Sequence, residues 1–227
     1  MKPELVVMLT YNDKTVDNAL ELFNEVKDSP VTHWGFKDVG LPPARMAEVF
    51  RAMKSAGKVT YLEVVSLTEE EGLAGARLAV QCGVDVLLGT VFFDSINDYL
   101  KDKPAKYYPF PGHVWGHPSI LGGRIEEIVG QACTMEEKGV DGFDLLTYRY
   151  TGDPVKLLNE LVKATSLPLI SAGSIDSVAR IAQVRDARAW GFTIGTAFFE
   201  RKFVPGGSFR ENMMAVWDWL QKNGRPD

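Results

Sequence analysis

The sequence predicts an α/β protein: a single (β/α)8 TIM barrel with a closed parallel sheet, spanning residues 1–227. Three observations predict it. A unit recurs along the chain, consisting of a short β-rich run, a turn, an amphipathic run, a glycine and the next run. The joints Ala56-Gly57-Lys58-Val59, Cys82-Gly83-Val84-Asp85 and Lys138-Gly139-Val140-Asp141 are near copies, each a helix-ending glycine feeding a buried strand. Finally, a chain of 227 residues suits closure into a barrel. The open doubly wound sheet lacks its signature, since no GxGxxG follows the first strand.

Each element follows from local chemistry. Leu5–Thr10 is the first strand, and Asp13–Lys27 its helix, ended by Ser29-Pro30. Val31–Lys37 is the second strand, with Pro42-Pro43 opening the next helix. Val59–Val65 is the third, followed by a Thr68 cap and the acidic first turn Glu69-Glu70-Glu71. Val84–Leu88 and Ser95–Leu100 make the fourth strand and helix, and Lys106–Phe110 the fifth strand. A helix over Arg124–Lys138 leads to the sixth strand, Val140–Leu146, and Asp153-Pro154 opens the sixth helix. Leu167–Glu200 holds the seventh strand ending in Ser171-Ala172-Gly173-Ser174, a helix, and the eighth strand ending in Gly195-Thr196. Phe209–Gln221 closes the chain.

Composition bounds the function. Apolar residues make up 45% of the chain, enough for a large core without staples. The net charge of −5 is spread with no basic run, which argues against nucleic acid or an anionic membrane as partner. Cys82 and Cys133 sit in apolar helical stretches and read as core fillers of a reducing compartment. No signal peptide or long apolar span is present, so the expected location is cytoplasmic. Trp217 fits the buried stripe of the last helix and Trp219 falls off it, marking a candidate contact of a homo-oligomer.

Strand side chains alternate between the helix layer and the barrel interior. In the second strand Trp34 and Phe36 suit the helix layer, which turns His33, Gly35 and Lys37 inward. By the same rule Tyr61, Glu63 and Val65 face inward from the third strand, Gly142, Asp144 and Leu146 from the sixth, and Gly191, Thr193 and Gly195 from the eighth. Ser171 is assigned inward on the seventh, and Thr10 lies at the C-terminal end of the first. Lys37, Glu63 and Asp144 therefore converge on the mouth where barrel enzymes hold their reacting groups. Buried charges are costly unless paired, so a structural Lys37–Glu63 pair and a catalytic one are both open.

Small residues end both the seventh and eighth strands, each before a helix start. Glycine admits close approach of main-chain N–H groups, and a helix start leaves N–H groups unpaired. Gly173, Ser174, Gly195 and Thr196 thus form a candidate phosphate cradle, against the plainer reading that these glycines serve tight turns. In these residues the sequence resembles the ribulose-phosphate-binding superfamily of barrels, which includes phosphosugar epimerases, decarboxylases, and the isomerases and synthases of histidine and tryptophan biosynthesis. The resemblance implies proton transfer or C–C cleavage on a small phosphorylated sugar or keto acid. It departs from individual branches: strand 3 has no lysine in Leu62-Glu63-Val64-Val65, histidines number three, and the sixth strand has Asp144 where class I aldolases mostly place a lysine.

The expected function is acid–base isomerisation or epimerisation, with Lys37 as principal acid/base, Glu63 its partner and Asp144 the second proton carrier. A Schiff-base lyase of aldolase type using Lys37 is the alternative, and a non-catalytic phosphate-binding barrel is another. No cofactor and no metal is called for. His113 and His117 are four apart, but Gly112, Gly116 and Pro118 argue against a metal-binding helix. The aromatic loop Tyr107–Pro118 reads instead as a wall with His113 as a substrate contact. Arg149, between Tyr148 and Tyr150, reads as a clamp for a carboxylate or second phosphate, with Thr10 and Ser171 as further substrate contacts. Gly89-Thr90 reads as a place of close substrate approach, and His33 as structural.

Overall fold

The computed structural model describes residues 2–224. Its eight parallel strands are β1 Glu4–Met8, β2 His33–Lys37, β3 Val59–Val64, β4 Val86–Val91, β5 Lys106–Phe110, β6 Phe143–Leu145, β7 Leu169–Ser171 and β8 Gly191–Ile194. They pair in the order β6-β7-β8-β1-β2-β3-β4-β5. The last seam, between β5 and β6, is closed by Asp141 instead of a ladder. Its N–H donates to the Tyr107 carbonyl at 3.0 Å and its carboxylate accepts the Tyr107 N–H at 2.9 Å.

The helices are α1 Ala19–Val26, α2 Pro43–Ser55, α3 Glu69–Gln81, α4 Asp94–Leu100, α5 Ile125–Glu137, α6 Pro154–Ala164, α7 Val178–Ala187, α8 Thr196–Phe199 and α9 Phe209–Asn223. Pro43 opens α2, the Thr68 hydroxyl accepts the Glu71 N–H at α3, and Asp153 caps α6 through the Val155 and Lys156 N–H groups. At the three repeated joints Gly57, Gly83 and Gly139 have φ of +70°, +65° and +87°. A Cβ at any of them would meet nothing within 4 Å, so handedness, not space, requires glycine there. No helix of the described residues is long and apolar enough to cross a membrane.

Two apolar layers result. Between strands and helices, Trp34 packs edge-on against Phe23, and Phe36 stacks on Phe50 at 4.2 Å. Inside the barrel lie Val6, Met8, Tyr61, Val86, Leu88, Tyr108 and Ile170. Gly35 belongs to this inner face because a Cβ would lie 2.5 Å from the Tyr61 carbonyl oxygen. The N-terminal end is closed by His33, whose Nδ1 is 2.8 Å from the Tyr61 hydroxyl.

Three readings of the sequence need correction here. The first helix begins at Ala19, and the residues before it form a small hairpin, Thr10–Tyr11 with Lys14–Thr15. Ser171 faces outward: it is level with Leu145 and Phe192, both in the helix-side core, while its neighbour Ile170 points inward. Trp219 is half-buried, not exposed, with the Arg185 guanidinium 5.3 Å from its ring.

Candidate active site

The hairpin after β1 reaches the C-terminal mouth of the barrel. Its turn is Asn12-Asp13, with φ of +48° and +61°, the two-residue left-handed geometry that Asn and Asp tolerate best. The return strand is sutured to β2: the Thr15 hydroxyl donates to the Lys37 carbonyl at 2.7 Å and accepts the Lys37 N–H at 3.1 Å. Asp13 is thereby delivered onto the Lys37 side chain.

Lys37 Nζ lies 2.5 Å from Asp13 Oδ1 and 3.1 Å from Glu63 Oε1. The Arg149 guanidinium approaches Asp13 from across the barrel, with Nη1 2.9 Å from Oδ2 and Nη2 donating to Oδ1 at 3.1 Å. Arg149 is placed by a 3-10 turn, Thr147–Arg149, that follows β6. Asp13, Lys37 and Glu63 are almost fully buried. Asp144 is completely buried on the inner face of β6, and neither of its oxygens has a hydrogen-bond partner.

The electrostatics sort these groups by charge. Burial pulls the Lys37 ammonium toward deprotonation, but Glu63 and Asp13 outweigh it and hold its pKa above that of an ordinary lysine. Burial pushes Asp13 the other way, and Lys37 with Arg149 overcome it, holding the carboxyl below the usual aspartate range. Asp144 has no such partner. Burial first, then Glu63, push its carboxyl well above the ordinary range, which favours the protonated form. Asp38, just past β2, is raised to about 6 by burial, against the Val65 N–H that it accepts.

Above this floor opens a cavity of about 340 Å³, a size suited to a small metabolite. Its walls include Met8, Thr10, Leu146, Thr193 and both glycine-rich strand ends, Gly173-Ser174 and Gly195-Thr196. Pro118 closes one side from the tip of a second hairpin, His113–Trp115 with Ile120–Gly122. The cavity brings Lys37, Glu63, Thr10, Arg149, Gly173, Ser174, Gly195 and Thr196 together.

Other expected site residues lie elsewhere. His113 is exposed and lies against Trp115, the rings tilted with centroids 5.1 Å apart, outside the cavity, because the hairpin turns alternate side chains away from the mouth. Ser171 donates to Thr147 Oγ1 at 2.7 Å behind the barrel wall. Gly89 serves packing, since a Cβ there would lie 2.4 Å from the Val64 carbonyl oxygen. Among the described residues no group of three or more His, Cys, Asp or Glu side chains could hold a metal ion.

The glycines of the strand ends have reasons of their own. Gly173 has φ +79°, and a Cβ would come within 3.0 Å of the Arg149 side chain. At Gly195 a Cβ would lie 2.7 Å from the Thr10 carbonyl oxygen. Both would be glycine without any ligand. A different signal marks the cavity. The buried side-chain polar atoms without a hydrogen bond include Thr10 Oγ1, both oxygens of Asp144, and the hydroxyls of Ser29 and Ser119. Folded proteins pair nearly all such groups. Here Thr10 lines the cavity, and Asp144 is buried close enough to Glu63 to feel its charge without lining the cavity itself.

No family model and no curated protein matches the chain. Solved structures do match it in fold. A structure described as native KDPGal superposes with a TM-score of 0.66 at 15% identity, covering 97% of this chain and 98% of that one. Orotidine 5'-phosphate decarboxylase from Pyrococcus horikoshii OT3 gives 0.67 at 12% identity, covering 96% and 99%. N-acetylmannosamine-6-phosphate 2-epimerase from Clostridium perfringens gives 0.60 at 10%, covering 95% and 92%. At such identities the likeness is one of fold alone.

Proposed function

We propose that the chain is an enzyme that moves protons on a small phosphorylated sugar or related keto metabolite, an isomerase or epimerase by reaction type. The observation that carries this is the ordered row of buried charge on the cavity floor, Arg149, Asp13, Lys37, Glu63, with the unpartnered Thr10 hydroxyl in the cavity wall above it. Such a row has little use in a barrel built only to be stable. The fold neighbours, which include an epimerase and a decarboxylase named for phosphorylated compounds, agree with it.

The roles follow from charge. Lys37 is held as an ammonium, so it acts as the acid, donating to a substrate carbonyl oxygen and stabilising the negative charge that develops there. Glu63 lines the cavity beside it and is the group placed to take a proton from the adjacent carbon. Asp144, whose carboxyl burial and the Glu63 charge push toward the protonated form, is the second proton carrier. Two carboxylate partners hold the lysine protonated, which weighs against its resting as the free amine that a Schiff-base lyase would need. The phosphate is assigned to the main-chain N–H groups around Ser174 and Thr196, at the place where barrels of this fold commonly bind one.

Ser174 tests this without touching the core, because it is exposed, lines the cavity and already has φ +58°, which Asp tolerates. A phosphorylated sugar at about 100 times its dissociation constant should add roughly 2.7 kcal/mol to stability, a rise of about 5–11 °C for a chain of this size. Ser174→Asp should leave the ligand-free melting temperature in place and abolish the rise. A phosphosugar that stabilises the variant equally would remove the phosphate from this position.

A further inference from the structure

We propose that Asp13 is a specificity-determining residue: it fills the cationic slot at the cavity floor, so that the site accepts substrates whose reacting end is uncharged and rejects those that end in a carboxylate. The inference rests on the phosphate-binding reading above, and chooses among the substrates which that reading leaves open.

Arg149 presents both terminal nitrogens to one carboxylate, the forked arrangement in which a guanidinium ordinarily takes an acid group of a ligand. Here that acid belongs to the protein. The same Asp13 oxygen that accepts Arg149 Nη2 also meets Lys37 Nζ, whose other partner is Glu63. Two cations therefore face two carboxylates. The rim adds no free charge: Asp176 is paired with Arg180 at 3.0 Å and Glu200 with Lys202 at 3.3 Å. Asp144 is fully buried and does not line the cavity.

A substrate carboxylate entering this floor would lie beside Asp13 and Glu63 with no uncompensated cation to receive it, in surroundings where like charges repel strongly. A hydroxyl or carbonyl meets the opposite situation. It can accept from Lys37, and it can exchange a hydrogen bond with the unpartnered Thr10 hydroxyl. The phosphate stays outside this balance, on main-chain dipoles. Asp13 is fixed for the task by the left-handed turn and by the Thr15 suture, so it cannot simply swing aside.

Calorimetric titration of matched pairs tests this: pentose and hexose phosphates, each against the aldonic acid phosphate of the same carbon number, with inorganic phosphate as reference. The wild-type chain should prefer the sugar by roughly tenfold or more. Asp13→Asn, which leaves one positive charge unbalanced, should erase or reverse the preference by raising affinity for the acid. Arg149→Gln has the opposite sign on the floor and should widen it, so the test survives should the first variant not fold. Equal or tighter binding of the acid by the wild type, or a preference that neither variant moves, overturns the role of Asp13 while leaving the phosphate site in place. If neither sugars, acids nor inorganic phosphate bind, the phosphate reading falls and takes this inference with it.

Discussion

Lys37→Met is expected to melt about 6–20 °C below the wild type at neutral pH. Removing one partner of a buried ion pair costs about 3–5 kcal/mol, and each kcal/mol shifts a chain of this size by about 2–4 °C. The cause is what the substitution leaves behind: Asp13 and Glu63, 5% and 4% exposed, lose their shared cation. Asp13 keeps Arg149, whereas Glu63 has no other ion pair among the described residues, so Glu63 bears most of the damage. The loss should shrink in acid. Asp13 is depressed in the folded state, so its pairing stabilises above the unfolded pKa and is lost as pH falls through the folded one. Adding Glu63→Gln should recover part of the deficit. Differential scanning calorimetry of the two variants across pH 3–8 checks all of this, and an unchanged melting temperature would mean that the row of charge is not a coupled buried unit.

Asp144→Asn should change the pH dependence of stability in the opposite sense. Asp144 is raised in the folded state, so above about pH 4 the native chain holds a proton that the unfolded chain has released. Stability must then fall by about 1.4 kcal/mol per pH unit until the folded carboxyl itself ionises. An amide cannot titrate, so the variant should lack this slope. Its advantage over the wild type should grow from acid toward neutral pH, even if its unpaired N–H groups cost it stability at pH 4. Urea denaturation at several pH values gives both curves. Parallel curves would show that Asp144 is ionised in the native state and that its charge is compensated.

These two expectations draw on residues of different legibility. The inward phase of Lys37, Glu63 and Asp144 was readable, because Trp34, Phe36, Leu62, Val64, Phe143 and Leu145 alternate with them and suit the helix layer. Ser171 was not. Strand β7 is only Leu169–Ser171, buried throughout, so alternation gives no phase and a polar residue near the mouth looks inward when it is not. Asp13 was missed for another reason. An apolar run through Val16, Leu20 and Phe23 makes it look like the start of a helix, whereas Asn12-Asp13 between two β-rich pairs is also a hairpin turn. The helical period won the reading, and the fold chose the turn. The glycine-rich strand ends show a further limit: sequence places them at the mouth, yet their lack of side chains is required by Arg149 and by the Met8 and Thr10 carbonyls.

The central claim is proton transfer at the barrel mouth, and solvent isotope exchange tests it most directly. Phosphorylated aldoses and ketoses would be incubated with the protein in deuterium oxide and followed by proton magnetic resonance. The account predicts loss of the signal from the hydrogen beside the carbonyl with at least one of them, and no loss with Lys37→Met. Phosphosugars that bind in the cavity and keep that hydrogen in every case would contradict it, and would leave a barrel that recognises such compounds without transforming them.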